Sequence, residues 1–64
     1  MPKTDVEVKL TGTDGNVFAL MGKVAKALRR AGHPDLADEF TKKVFQSGSY
    51  DESLRIMMEY VDVS

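Results

Sequence analysis

Residues 17–31 decide the fold, and their sequence is VFALMGKVAKALRRA. At about 100° per residue, the apolar side chains of this stretch fall on one face of a helix. That face comprises Val17, Leu20, Met21, Val24, Ala25, Leu28 and Ala31, with Phe18 at its margin. Gly32 follows directly, and glycine suits the left-handed residue that closes a helix. The stretch therefore predicts an amphipathic helix that packs on a core through one face.

The flanking segments predict a strand before this helix and a second helix after it. Residues 5–11 (DVEVKLT) alternate polar and apolar side chains, which is typical of a half-buried strand. Residues 12–16 (GTDGN) predict a turn. Downstream, Pro34 suits the first turn of a helix that Gly48 ends.

Charges along the second predicted helix favour two local ion pairs. Asp38 stands four residues before Lys42, and Glu39 stands four residues before Lys43. An acid that precedes a base by four residues stabilises a helix by a few tenths of a kcal/mol. We expect both pairs to form along this helix.

A capping box predicts a third helix near the end of the chain. Ser49 is followed three residues later by Glu52, and the helix is expected from about Tyr50 to Glu59. Apolar side chains cover about 200° of its circumference. Residues 61–63 (VDV) return to alternation and predict a short terminal strand.

The predicted order is β-α-α-α-β, an α+β fold in one domain of residues 1–64. The simplest arrangement of these elements pairs the two predicted strands in a ribbon and packs the helices on one face of that ribbon. The sequence does not decide whether the two strands run parallel. An isolated two-stranded ribbon also leaves exposed edges.

Composition argues against several classes of catalytic and metal site. The chain has 64 residues and no cysteine, which excludes disulfides, thiol nucleophiles and thiolate metal ligands. Its one histidine, His33, lies between Gly32 and Pro34 and is interpreted as a loop or N-cap residue. No metal-binding spacing is present. We predict a protein that is not an enzyme, with no catalytic residue, metal or cofactor.

Hydropathy predicts a cytoplasmic protein that does not contact a membrane. No apolar run approaches the ~18 residues needed to span a bilayer. Residues 1–5 (MPKTD) lack the apolar segment of a signal peptide. The net charge is −1, so the overall charge favours no particular partner.

A basic face on the first helix is the sharpest charged feature. Residues 16–31 contain four cations and no acid: Lys23, Lys26, Arg29 and Arg30. These are the candidate residues for contact with a nucleic acid or another anion. No aromatic residue is interleaved with them, and the pI of about 5.7 is below the ~9 typical of nucleic-acid domains. A solvated face, or one that faces the acidic C-terminal helix, is therefore favoured.

The third helix supplies the candidate protein interface. Its wide apolar arc includes Ile56, Met57, Met58 and Tyr60, which either complete the core or contact a partner. Strand 5–11 is also longer than strand 61–63, which leaves backbone groups unpaired at an edge. A homodimer could bury Ile56 and Tyr60 or extend the ribbon across a two-fold axis.

Five runs of residues carry a resemblance that covers almost the whole chain. They are residues 15–24 (GNVFALMGKV), 27–32 (ALRRAG), 38–40 (DEF), 47–51 (SGSYD) and 58–63 (MEYVDV). In these runs the chain resembles a family of small uncharacterised proteins encoded by bacteria and their phages. The resemblance implies a mobile-element setting and no particular activity.

The favoured function is that of a small binding or regulatory protein, phage-derived, that acts through protein–protein contact. One alternative is a nucleic-acid accessory protein that uses the basic face. The other is a dimeric sponge that holds a small anionic ligand between protomers.

Overall fold

The computed structural model describes residues 2–12 and 15–64. The elements are β1 (Glu7–Val8), α1 (Val17–Arg30), α2 (Pro34–Gln46), α3 (Tyr50–Tyr60) and β2 (Asp62–Val63). The three helices pack against one another, and the two strands form one small sheet. The predicted α+β fold with the order β-α-α-α-β is confirmed.

Both ends of α1 are defined by local chemistry. The side chain of Asn16 accepts a hydrogen bond of 2.8 Å from the backbone N–H of Phe18 and so caps the first turn. At the other end, Gly32 has φ +87°, a conformation that glycine adopts without strain. The helix ends one residue before the predicted boundary. The predicted turn at residues 12–16 lies partly outside the described residues.

The second and third helices begin where the sequence predicts. Pro34 opens α2, and His33 is its N-cap residue, without a side-chain capping bond. Ser49 accepts a hydrogen bond from the N–H of Glu52 at 3.1 Å, as in a capping box. In a capping box the glutamate side chain accepts a hydrogen bond from the N–H of the N-cap residue. Here the side chain of Glu52 accepts instead from the N–H of Gly48, one residue earlier, at 3.1 Å.

The two strands run parallel, with Glu7 opposite Asp62 and Val8 opposite Val63. Parallel neighbours need a long crossover connection, which the three helices provide. Val8 is buried and Glu7 is exposed, so one face of the ribbon turns toward the helices. Both strands are shorter than predicted.

The core lies among the three helices and the covered face of the ribbon. Its largest completely buried side chains are Tyr60, Phe40, Leu28 and Met57. The rings of Phe40 and Tyr60 meet edge to face, with centroids 5.5 Å apart. No helix in the described ranges has the length and apolar character needed to cross a membrane.

Candidate protein-binding surfaces

The wide apolar arc of α3 is mostly core rather than interface. Met57 and Tyr60 are completely buried, and Ile56 is 8% exposed. Both α1 and α2 pack on this helix, and its C-terminal end is covered by residues 3 and 4. Of the four candidate interface residues only Met58 is accessible, with 53% of its surface exposed. Within a single chain the three buried residues therefore offer little or no surface to a partner.

The N-terminal segment packs on the C-terminal end of α3, beside Tyr60. The backbone N–H of Lys3 donates to the carbonyl of Glu59 at 2.8 Å. The carbonyl of Tyr60 accepts from both the N–H and the hydroxyl of Thr4, at 3.2 and 2.7 Å. This segment therefore covers the end of α3, which the periodicity of the helix alone does not reveal.

Glu39 and Tyr60 form the one pair of titratable groups with shifted pKa values in the described chain. The hydrogen bond from Tyr60, then the one from Lys3, lowers the pKa of Glu39 below its usual 4.5. Burial, then the bond to Glu39, raises the pKa of Tyr60 well above its usual 10. At neutral pH the carboxylate is charged and the phenol neutral, so the phenol can donate to the carboxylate and the hydrogen bond joins α2 to α3.

Three exposed aromatic side chains form a surface that we call the aromatic patch: Phe18, Phe45 and Tyr50. Their exposed fractions are 61%, 64% and 47%. The rings of Phe18 and Phe45 lie with centroids 6.1 Å apart and an interplanar angle of 47°. The patch borders a groove of about 330 Å³ that also contacts Val17 and Val44.

The aromatic patch forms where three helix ends meet. Phe18 lies in the first turn of α1, Phe45 in the last turn of α2, and Tyr50 is the first residue of α3. The hydroxyl of Tyr50 donates to the carbonyl of Gly15 at 2.8 Å and so joins the start of α3 to the segment before α1. Sequence reasoning missed this surface. The available signal was Phe45, a large apolar residue outside the buried stripe of its helix.

The structure divides the basic face of α1 into two parts. Arg29 turns toward α2 and pairs with Asp38 at 3.2 Å. Lys23, Lys26 and Arg30 instead line a groove of about 580 Å³ between α1 and residues 6–9. We call this feature the basic groove. The carboxylate that Arg29 meets belongs to α2 and not to the acidic C-terminal helix.

The predicted ion pairs within α2 are also replaced by pairs to other segments. Asp38 binds Arg29 rather than Lys42, and Glu39 binds Lys3 at 3.3 Å rather than Lys43. These partners come from α1 and from the N-terminal segment. A helical i,i+4 spacing permits a pair, but packing brings other cations nearer.

No cluster of three or more metal-ligating side chains occurs within residues 2–12 and 15–64. No family model, curated protein or solved structure matches the chain. The chemistry and shape of its own surfaces are therefore the basis on which its function is inferred.

Proposed function

We propose that this protein is a small non-enzymatic binding protein that acts through protein–protein contact at the aromatic patch. The observation that carries the proposal is the exposed pair of phenylalanines, Phe18 and Phe45. In keeping with the resemblance to small bacterial and phage proteins, we propose a cytoplasmic, regulatory role in a bacterial host.

The size of the chain makes this exposure informative. A 64-residue domain buries only about 60% of the surface that its unfolded chain exposes, so large apolar side chains are scarce and valuable to its core. Two of the three phenylalanines nevertheless lie on the surface, side by side. Exposed apolar patches of this kind mark interaction sites. Aromatic side chains are also enriched at the energetic centres of protein interfaces.

The surroundings of the patch favour an apolar protein side chain over a nucleic acid. Surfaces that stack bases combine aromatic rings with cations that follow the phosphates. Among the described residues, no lysine or arginine lines the groove beside Phe18 and Phe45, and the polar lining residues are three serines and Tyr50. The same helix end carries the carboxylates of Asp51 and Glu52, which repel phosphate.

Affinity capture with paired variants tests the proposal. The tagged chain is incubated with a bacterial lysate, and photo-cross-linking from position 50, which also lies in the patch, identifies the protein in contact with it. Phe45→Ser should lose that protein. Met58→Ser should retain it, because Met58 is similarly exposed but lies near Pro2 and Arg55 instead of the patch. Equal capture by both variants, each shown to be folded by circular dichroism, would contradict the proposal.

The two alternatives from the sequence depend on the basic face rather than on the aromatic patch. A nucleic-acid accessory function would use Lys23, Lys26, Arg29 and Arg30 together, but Arg29 is paired with Asp38. A small-anion sponge would enclose its ligand between protomers. The basic groove instead runs along a strand within a single chain, a shape better suited to an extended ligand.

A further inference from the structure

One edge of β1 is open. The hydrogen bonds to β2 and to Ser64 use the backbone groups of Val6, Val8 and Leu10. In a strand the backbone groups of successive residues point to opposite sides, so those of Glu7 and Lys9 face away from β2. The sheet of the described chain has two strands only. The outward N–H and C=O groups of Glu7 and Lys9 are therefore available to another strand.

The basic groove lies beside this open edge. One side of the groove is formed by residues 6–9, the other by α1, and no residue of β2 lines it. Along α1 the lining repeats once per turn, from Lys23 through Lys26 and Ala27 to Arg30 and Ala31. The two alanines have short side chains, so a polypeptide backbone can approach the helix between the cations.

Charge selects the kind of segment that fits. Among the described residues, α1 contributes three cations to the lining of the groove, namely Lys23, Lys26 and Arg30. Successive turns of a helix are about 5.4 Å apart, and alternate residues of a strand are about 6.6 Å apart. Carboxylates on alternate residues of an extended segment can therefore each approach a cation of α1.

We propose that the basic groove binds an extended acidic segment of another protein, which adds to the sheet as a third strand beside β1. Backbone hydrogen bonds to Glu7 and Lys9 supply the pairing. Carboxylates on alternate residues contact Lys26 and Arg30 and set the preference for an acidic sequence. This binding site is separate from the aromatic patch, so either proposal can fail without the other.

A second copy of the chain fits the groove less well than an acidic segment. Pairing of two β1 strands would bring the same cations of both α1 helices toward each other across the axis, where like charges repel. Within residues 6–9, Val6 and Val8 turn toward the helix layer and already contribute to the core of their own chain. Neither places a carboxylate near Lys26 or Arg30.

A pair of synthetic peptides tests the charge requirement. The probe is a labelled ten-residue peptide with glutamate on alternate residues and threonine between, and its control carries glutamine at the glutamate positions. Fluorescence anisotropy should show binding of the acidic peptide and at least about tenfold weaker binding of the control. Lys26→Glu/Arg30→Glu should abolish binding of the acidic peptide. Lys42→Glu/Arg55→Glu makes the same charge change outside the groove and should leave most of the affinity.

N-methylation of the acidic peptide tests strand addition in the unmodified protein. Methyl groups on the backbone nitrogens of one alternate set of residues remove the donors that face β1, whereas methyl groups on the other set point away. Methylation of the nitrogens that face β1 should abolish binding, and methylation of the other set should preserve it. In the complex that forms, the Glu7 and Lys9 amides should be protected from hydrogen exchange. Equal affinities of both methylated peptides would overturn strand addition. Tighter binding of a duplex DNA that displaces the peptide would overturn the preference for a protein segment.

Discussion

The hydroxyl of Tyr60 donates a hydrogen bond of 2.6 Å to Oε2 of Glu39. Tyr60 is completely buried, whereas the side chain of Glu39 is 48% exposed, so the bond connects the core to the surface. The same carboxylate oxygen accepts from Nζ of Lys3 at 3.3 Å, and that Nζ lies 5.1 Å from the centroid of the Tyr60 ring. Three segments that are distant in sequence are thus held together at one carboxylate.

Glu39 should make the stability of the domain sensitive to acid. Its pKa is lower in the folded chain than the usual 4.5, so its contribution is present above pH 4.5 and is lost as the pH falls through the folded-state value. Glu39→Gln retains an oxygen acceptor for Tyr60 but cannot titrate. Thermal melts on lowering the pH should therefore show a shallower loss of Tm for Glu39→Gln than for the wild type. Glu7→Gln, which removes an exposed carboxylate on the sheet, is the control. If the acid profile of Glu39→Gln matched that of the wild type, this role of Glu39 would be contradicted.

Tyr60 should produce the opposite dependence at alkaline pH. Because its pKa is higher in the folded state than the unfolded value of 10, its contribution is present below pH 10 and is lost as the pH rises toward the folded-state value. Tyr60→Phe keeps the ring contact with Phe40 and removes the phenol. At neutral pH we expect a loss of about 1 kcal/mol for the missing hydrogen bond. Above pH 10 the variant should lose stability less steeply than the wild type.

Tyr50→Phe is the control for this measurement, because Tyr50 is 47% exposed and its hydroxyl donates to the carbonyl of Gly15. Its alkaline profile should follow that of the wild type, since this substitution leaves the hydrogen bond between Tyr60 and Glu39 in place. Parallel alkaline profiles for wild type and Tyr60→Phe would show that the buried phenol does not control stability there.

Truncation of two phenylalanines of α2 should destabilise the domain to very different extents. Phe40 is completely buried and Phe45 is 64% exposed. Phe40→Ala should cost about 3–5 kcal/mol, which is as much as a domain of this size holds, and leave the chain largely unfolded. Phe45→Ala should cost less than about 1 kcal/mol and retain the wild-type circular dichroism. Similar losses for both would show that Phe45 belongs to the core and not to a binding surface.

Self-association is a separate prediction, since the sequence-based argument for a homodimer relied partly on Ile56 and Tyr60. Those residues are buried within one chain, which leaves the aromatic patch, the open edge of β1 and the exposed side chain of Met58 as candidate contacts for a dimer. Sedimentation equilibrium in the tens of micromolar range should give twice the chain mass if the homodimer forms. Phe18→Ser/Phe45→Ser should restore a single-chain mass if the patch is its interface. A single-chain mass for the wild type would contradict the homodimer and leave the patch to a different protein.

Local patterns in the sequence determined the elements of this fold. The apolar period of residues 17–31 predicts α1 to within one residue, since the relevant contacts repeat every three or four positions. The hydroxyl of Ser49 caps α3 through the N–H of Glu52, three residues away, so the start of α3 was also readable. Interactions that close within one helical turn need no knowledge of the rest of the chain.

Only the tertiary structure decided how these elements meet and which surfaces remain exposed. Asp38 and Glu39 bind Arg29 and Lys3 instead of the cations four residues ahead. The parallel pairing of β1 with β2 depends on the path of three intervening helices. The burial of the α3 arc depends on packing by α1, α2 and, at Tyr60, the N-terminal segment. The exposure of Phe45 depends on how three helix ends meet. Each of these outcomes is set by contacts between residues far apart in the chain, which a periodic pattern in one segment does not encode.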